Sequence, residues 1–279
     1  MSLIILAVLS SNVQLPVIYS FKKKTNKYPP VKTSIIIPAR LASTRLPSKP
    51  LVDILGRSLI MRVYDRAMKV KSAAEVIVAT DHASIFDHVM AHGGHAVMTS
   101  DKHTSGTDRV AEVSASMTSD IIINVQGDEP LIDPQQIESL IQLMLRPEVK
   151  IGTQCKKIED ENHLFDYNIV KVVKSYDHKA LYFSRQAIPA IRDEAYARWL
   201  QNGQYYRHVG IYGFKKKTLA EVTQLTMTDY ESAEALEQLR WMQHGYTIHC
   251  IETDYPSIGV DTAEDVEKVT RLLIKENWR

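Results

Sequence analysis

Residues Ser34 to Val52 constrain this chain more than any other stretch: SIIIPARLASTRLPSKPLV passes from an unbroken β-branched run into a loop carrying Arg40, Arg45 and Lys49. Ile35, Ile36 and Ile37 show no polar alternation, the pattern of a parallel strand buried on both faces, and Pro38 has no N–H with which to continue a ladder. The cationic loop therefore leaves the carboxyl end of a parallel strand, where open α/β sheets bind their ligands. Arginine forks and a lysine point charge suit phosphate oxygens, with Ser43 and Thr44 as further donors, so the expected ligand is a polyphosphate. Loop cations are commonly no more than solvated surface. Pro38, Pro47 and Pro50 argue for more, because restricting φ around the cations reduces the entropy the loop loses on binding.

At 279 residues, 44% apolar and 24% charged, the chain can bury a sizeable core as one large or two small domains. A formal charge of +1 provides no field for nucleic acid or an anionic membrane, so small-molecule partners are favoured and no nucleic acid is expected. Cys155 and Cys250 lie far apart without CxxC spacing, which indicates neither a disulfide framework nor a zinc site and fits a reducing cytoplasm. Leu3 to Leu9 is too short to span a bilayer and no cation precedes it. Residues 1–32 therefore read as an N-terminal extension of uncertain role, without stable membrane insertion.

Past the loop, Leu59, Ile60, Val63, Tyr64 and Ala67 recur at helical spacing, and Glu75 to Ala79 reads as a second buried strand. A helix over Ser84–His92, a short strand over His95–Met98, a helix from Thr107 and an apolar strand over Asp120–Val125 follow. This alternation predicts an α/β fold: a doubly wound, mainly parallel twisted sheet. Beyond a helix from Pro134 to Leu145, Ile151–Ile158 and Ile169–Lys174 alternate with polar residues and read as half-exposed antiparallel strands. The chain returns through Val209–Phe214, a helix over Ser232–Gln243, a strand over Thr247–Ile251 and a closing helix after Asp261. The expected organisation is a single domain over residues 33–279 with a smaller antiparallel insertion lobe at about 150–215.

QGDEP places Asp128 and Glu129 on a turn at the same sheet edge as Arg40, and Asp261 stands at the start of the last helix. Magnesium takes one or two carboxylates plus phosphate oxygens, so two remote aspartates meeting at a phosphate crevice is the pattern to seek. Asp261 followed by Thr-Ala-Glu-Asp is, on these residues alone, more readily an ordinary helix N-cap. The SGTDR turn, Ser105 to Arg109, either approaches a phosphate or flat base or simply caps a helix. His208 and Tyr212 share a strand face, and Glu237 and Gln238 share a helix; each pair has a purely structural explanation.

The segments PARLASTRLPSKPL, VIVATDH, HTSGTDRVAEV, IIINVQGDEPLI, ALYFSRQAIP, RHVGIYGF, EALEQLRW and GVDTAEDVEKV occur in one order and cover nearly everything after Lys32. In that order they resemble the CMP-Kdo synthetases, the 3-deoxy-manno-octulosonate cytidylyltransferases. The resemblance implies a nucleotide-diphospho-sugar transferase-like fold and transfer of the cytidylyl group of CTP to Kdo, for lipopolysaccharide biosynthesis, in a homodimer. It implies Mg²⁺ on Asp128 and Asp261, with Arg40, Lys49 and these aspartates as the catalytic set. The nucleotide would contact Arg40, Ser43, Arg45, Lys49, Thr80, Asp81, Ser105, Gly106 and Thr107. Kdo would contact Gln126, Arg185, His208, Tyr212, Glu237 and Gln238, with Arg185 on the sugar carboxylate. Ser48 stands where the family usually has Gly, Leu41 replaces an aromatic and Ala190 a Trp. The rival readings are a CMP-sialic acid synthetase and a catalytically silent nucleotide-binding regulator.

Overall fold

Strand β1, Thr33–Ala39, carries the isoleucine run through the interior of a nine-stranded sheet. Ile35 and Ile37 face one hydrophobic core and Ile36 the other, which is why no polar residue interrupts them. The strand runs on through Pro38, paired with Ala79, to Ala39. On its other side, pairing with the Ile121–Asn124 strand stops at Ile36, whose carbonyl accepts from Val125 N at 3.1 Å. The nitrogen of Pro38, two residues on, faces that same side after the ladder has ended, so its missing N–H leaves no gap.

The computed structural model describes residues 31–43, 45–256 and 258–275. The chain divides into units Met1–Pro30 and Val31–Arg279, so nearly all of the expected extension, like the candidate donor Thr44, lies outside the described residues. From β1 the chain makes a 3-10 turn at Lys49–Leu51 and a hairpin of β2 (Asp53–Ile54) and β3 (Arg57–Ser58). Then come α1 (Leu59–Ala67), β4 (Glu75–Thr80), α2 (Ala83–Ala91), β5 (Ala96–Met98), α3 (Gly106–Ala115), β6 (Ile121–Asn124) and α4 (Pro134–Met144). These match the predicted elements closely, apart from the hairpin, whose Leu55-Gly56 turn has positive φ at both residues. Helix α3 starts with a reciprocal cap: Ser105 Oγ accepts from Asp108 N at 3.1 Å and Asp108 Oδ2 accepts from Ser105 N at 3.3 Å.

The remainder comprises β7 (Ile151–Lys157), α5 (Glu161–Phe165), β8 (Lys171–Lys174), β9 (Ala180–Ser184), α6 (Trp199–Asn202) and β10 (Tyr206–Lys215). It closes with α7 (Lys216–Val222), α8 (Asp229–Glu234), α9 (Glu237–Gln243), β11 (Ile248–Glu252) and α10 (Ala263–Lys275). The sheet order is β11-β7-β10-β6-β1-β4-β5, with β8 paired to β10 and β9 to β8. Along the main path every pairing is parallel except the two made by β10, so the doubly wound, mainly parallel sheet is observed with a small antiparallel portion. Helices α1, α2 and α4 cover the face of Ile35 and Ile37; α3, α7 and α9 cover that of Ile36. Helix α10 packs Val269 and Leu273 on Ile54, Leu59 and Leu131, which brings its first residues to the β1 and β6 strand ends.

Three expectations change. Ile151–Ile158 reads as half-exposed, yet β7 lies between β10 and β11 and is buried from Ile151 to Cys155. Its polar positions find partners inside the fold: Gln154 Nε2 donates to the Gln136 carbonyl at 2.8 Å and Thr153 Oγ1 to the Ile211 carbonyl at 2.8 Å, while Gln154 Oε1 is buried without a partner among the described residues. The lobe expected at about 150–215 is accordingly narrower, since β7 and β10 belong to the main sheet. The segment between them carries β8, β9, α5 and α6 and has its own core of Ile158, Leu164, Trp199 and Tyr205. The helix expected over Ser232–Gln243 is broken at Ala235, φ +50°. Arg185 Nε donates to the Glu234 carbonyl at 2.7 Å, taking the acceptor that an unbroken helix would give to the Gln238 N–H.

Candidate active site

Strands β1 and β6 are parallel neighbours, so the cationic loop after one and the QGDEP turn after the other open at the same sheet edge. A cleft of about 390 Å³ lies there, and Arg40, Lys49, Ser105, Gly106, Gln126, Asp128 and Asp261 line it. Gly127 permits the close approach: a Cβ at this position would sit 2.9 Å from the Pro38 carbonyl oxygen.

The two aspartates meet through the backbone, because Val260 N donates to the Asp128 carbonyl at 2.9 Å. Asp261 is not the cap of α10. Thr262 N donates to Asp265 Oδ2 at 3.0 Å and Asp265 N to Thr262 Oγ1 at 3.3 Å, so the Thr262–Asp265 pair closes the helix end and leaves the Asp261 carboxylate to the cleft. Lys49 Nζ donates to Asp128 Oδ2 at 2.8 Å and to Asp261 Oδ1 at 2.9 Å; Arg45, itself exposed, reaches Asp261 Oδ2 at 3.1 Å. Burial works against the Lys49 ammonium, but Asp128 and then Asp261 outweigh it and hold its pKa above the ordinary lysine value.

The other nucleotide candidates divide. Arg40 is an exposed wall of the cleft. Ser43 Oγ accepts from Leu46 N at 3.4 Å, shaping the loop. Thr80 is buried at the end of β4, and Asp81 Oδ2 accepts from Arg109 at 2.7 Å. Thr107 is buried off the cleft, its hydroxyl donating to Glu237 Oε2 at 2.6 Å. Sequence reasoning reached Arg109 only as the last residue of the SGTDR segment and gave it no role of its own, although it lines the cleft while almost fully buried. Its only local signal is an arginine one turn into a capped helix; the pairing with Asp81 requires α3 to lie beside the end of β4.

Among the sugar candidates, a bulge joins His208 and Tyr212: they pair with Cys155 and Thr153, two residues apart on β7, although four apart on β10. Their rings stand 5.3 Å apart, His208 lies 3.0 Å from Thr153 Oγ1, and Phe183 of β9 packs edge-on to His208 at 5.1 Å. Burial, and then the Arg207 charge, push the His208 imidazole down to about 3. Burial also raises the Tyr212 phenol well above its usual value, and the Trp241 ring of α9 meets Tyr212 at 5.2 Å. Arg185 donates to the carbonyls of Glu234, Tyr167 and Ala235. The fully buried Lys171 holds the same region from below: its Nζ donates to the carbonyls of Asp166 at 2.9 Å, Ile169 at 2.6 Å and Arg185. Glu237 and the buried Gln238 begin α9, and burial raises the Glu237 carboxyl against the opposing effects of Thr107 and Arg240.

A parallel sheet with a cationic loop and two carboxylates at its strand ends defines a phosphate-binding α/β transferase class. The Cytidylyltransferase family profile matches residues 34–248. The chain belongs to the cytidylyltransferase family, in its 3-deoxy-manno-octulosonate branch. A 3-deoxy-manno-octulosonate cytidylyltransferase from Cytophaga hutchinsonii is 46% identical over 238 residues, 84% of this chain and 95% of the relative. The enzyme of that name from Geotalea uraniireducens is 46% identical over 253 residues, covering 88% and 100%. The structure of CMP:2-keto-3-deoxy-manno-octonic acid synthetase complexed with CTP superposes with a TM-score of 0.82 at 43% identity, over 88% of this chain and 99% of that one.

Proposed function

We infer that this chain transfers the cytidylyl group of CTP to 3-deoxy-D-manno-octulosonate, giving CMP-Kdo and pyrophosphate for lipopolysaccharide biosynthesis. The observation that carries the reading is the convergence of Asp128 and Asp261 on one ammonium beside Arg40, in a cleft at the β1 and β6 strand ends. In-line attack by the anomeric hydroxyl on the α-phosphorus requires no protein nucleophile, so catalysis rests on positioning and on charge. Arg40, Arg45 and Lys49 supply cations for the triphosphate and for the charge that passes to pyrophosphate.

Two carboxylates that already share one cation suit a divalent ion, and Mg²⁺ is the proposed cofactor, held by Asp128 and Asp261. Among the described residues no three His, Cys, Asp or Glu side chains gather as a complete cage, which agrees with an ion that takes its remaining ligands from water and phosphate. When bound, the ion would neutralise phosphate oxygens. Arg185, on a loop after β9, is the proposed partner of the Kdo carboxylate, with Gln126, His208, Tyr212, Glu237 and Gln238 around the sugar. The resemblance supports a homodimer. The free, buried thiols of Cys155 and Cys250 support a cytoplasmic location, and among the described residues no helix is long and apolar enough to cross a membrane.

Pyrophosphate release from CTP plus Kdo tests the reading. No release, with CTP still bound, would leave a silent nucleotide-binding regulator; faster turnover with sialic acid than with Kdo would move the chain to the sialic acid enzymes.

A further inference from the structure

Resting on the assignment of a divalent cation to Asp128 and Asp261, we propose that Lys49 is that cation's stand-in in the nucleotide-free enzyme and suppresses binding of free metal until a triphosphate draws it away. Each aspartate gives one oxygen to the same ammonium, at 2.8 and 2.9 Å, and Arg45 takes the second oxygen of Asp261 at 3.1 Å. A metal ion bridging these carboxylates must displace the ammonium or sit against it at contact distance, where like charges repel. Free metal therefore competes with an internal ligand tethered to the same site.

The same tether makes the exchange reversible. Lys49 opens the short 3-10 turn Lys49–Leu51, which contains the buried Pro50, and Lys49 lines the cleft together with Arg40. A triphosphate in that cleft offers the ammonium a denser negative charge than two carboxylates do, and lysine binds phosphate as a point charge with freely rotating donors. When Lys49 moves to phosphate, both aspartates lose their counter-ion at the moment a metal carried by the nucleotide arrives. Metal and CTP then favour each other's binding, and the coupling is reciprocal.

Free Mn²⁺, measured by its paramagnetic resonance signal in titrations of the full chain, reads this without turnover. Without nucleotide, Lys49→Met should bind Mn²⁺ about tenfold more tightly than wild type, with Lys49→Gln as the polar substitute if the methionine variant misfolds. Lys49→Arg keeps the charge and should stay near the wild-type value. CTP should tighten Mn²⁺ binding about tenfold in wild type and far less in Lys49→Met. Unchanged nucleotide-free affinity in both neutral variants, or wild-type affinity indifferent to CTP, overturns the proposal. If Asp128→Asn still abolishes CTP-dependent Mn²⁺ binding in that case, the metal assignment stands without it. If the gain in Lys49→Met survives addition of Asp128→Asn, the ion sits elsewhere and both fall.

Discussion

Thr107 at the start of α3 donates its hydroxyl to Glu237 at the start of α9 across 2.6 Å, joining the helix whose first residues line the cleft to the helix that carries two of the sugar candidates. The other Glu237 oxygen accepts from Arg240 at 2.9 Å. Both oxygens are thus engaged by the chain itself, which makes Glu237 a strut between α3 and α9. Thr107→Val leaves a largely buried carboxylate short of a donor and should cost about 1–3 kcal/mol of stability. Combined with Glu237→Gln the losses should be non-additive by at least about 0.5 kcal/mol in urea unfolding; simple additivity would show that the two residues act separately.

Asp128→Asn and Asp261→Asn keep shape while removing charge. Each should retain the fold and lose at least about a hundredfold in kcat at saturating Mg²⁺. Near-normal turnover in both would sink the metal assignment.

Arg185 spends three of its N–H groups on carbonyls: Nε on Glu234 at 2.7 Å and the two terminal nitrogens on Tyr167 at 3.1 Å and Ala235 at 3.4 Å. One N–H remains on each terminal nitrogen, two donors of a planar group that a carboxylate can take. Arg185→Lys keeps the charge and loses the planar group, so the KM for Kdo should rise by about tenfold or more while CTP binding, followed by titration, stays nearly constant. Equal losses for sugar and nucleotide would mean that Arg185 supports the whole site.

His208, with its imidazole at about 3 in the folded chain, is neutral there when the unfolded chain already takes up a proton below about 6.5. The unfolded state then binds more protons, so stability is full above that value and falls with pH through the window from about 6.5 to about 3, by up to about 1.4 kcal/mol per unit. His208→Gln should flatten this slope when urea unfolding is compared at pH 7.5 and 5.5. An unchanged slope would place the acid sensitivity in other groups.

Ser48, where the family usually has Gly, sits in the left-handed region at φ +52°. A side chain there costs about 1 kcal/mol, offset in part by the greater unfolded-state freedom of glycine. Ser48→Gly should therefore raise stability by a few tenths of a kcal/mol to about 1 kcal/mol and ease closure of the loop on phosphate, lowering the KM for CTP. A drop in melting temperature would mean that the Ser48 side chain contributes contacts of its own.

Short-range pattern was enough to read β1, β4 and β6, the helices α1 to α4 and the position of the cationic loop, because burial on both faces demands apolar runs and helix ends demand caps within a few residues. It also picked out Lys49 and the QGDEP turn of Asp128, whereas Asp261 joined them only through the family resemblance, since its local pattern is that of a helix cap. Tertiary structure alone decided what these residues do to one another. Whether Asp261 caps α10 or faces the cleft depended on Thr262 and Asp265 forming the cap, and the two aspartates came together through a bond from Val260 to the Asp128 carbonyl. β7 reads as a half-exposed strand because polar residues alternate along it, yet partners more than a dozen residues away take the Thr153 hydroxyl and the Gln154 amide N–H inside the sheet. Ser232 to Gln243 has the local makings of one helix, and a carbonyl given to Arg185, 49 residues away, breaks it. In each case the local preference is worth about a kilocalorie or less, and a buried hydrogen bond or ion pair made across the fold outweighs it.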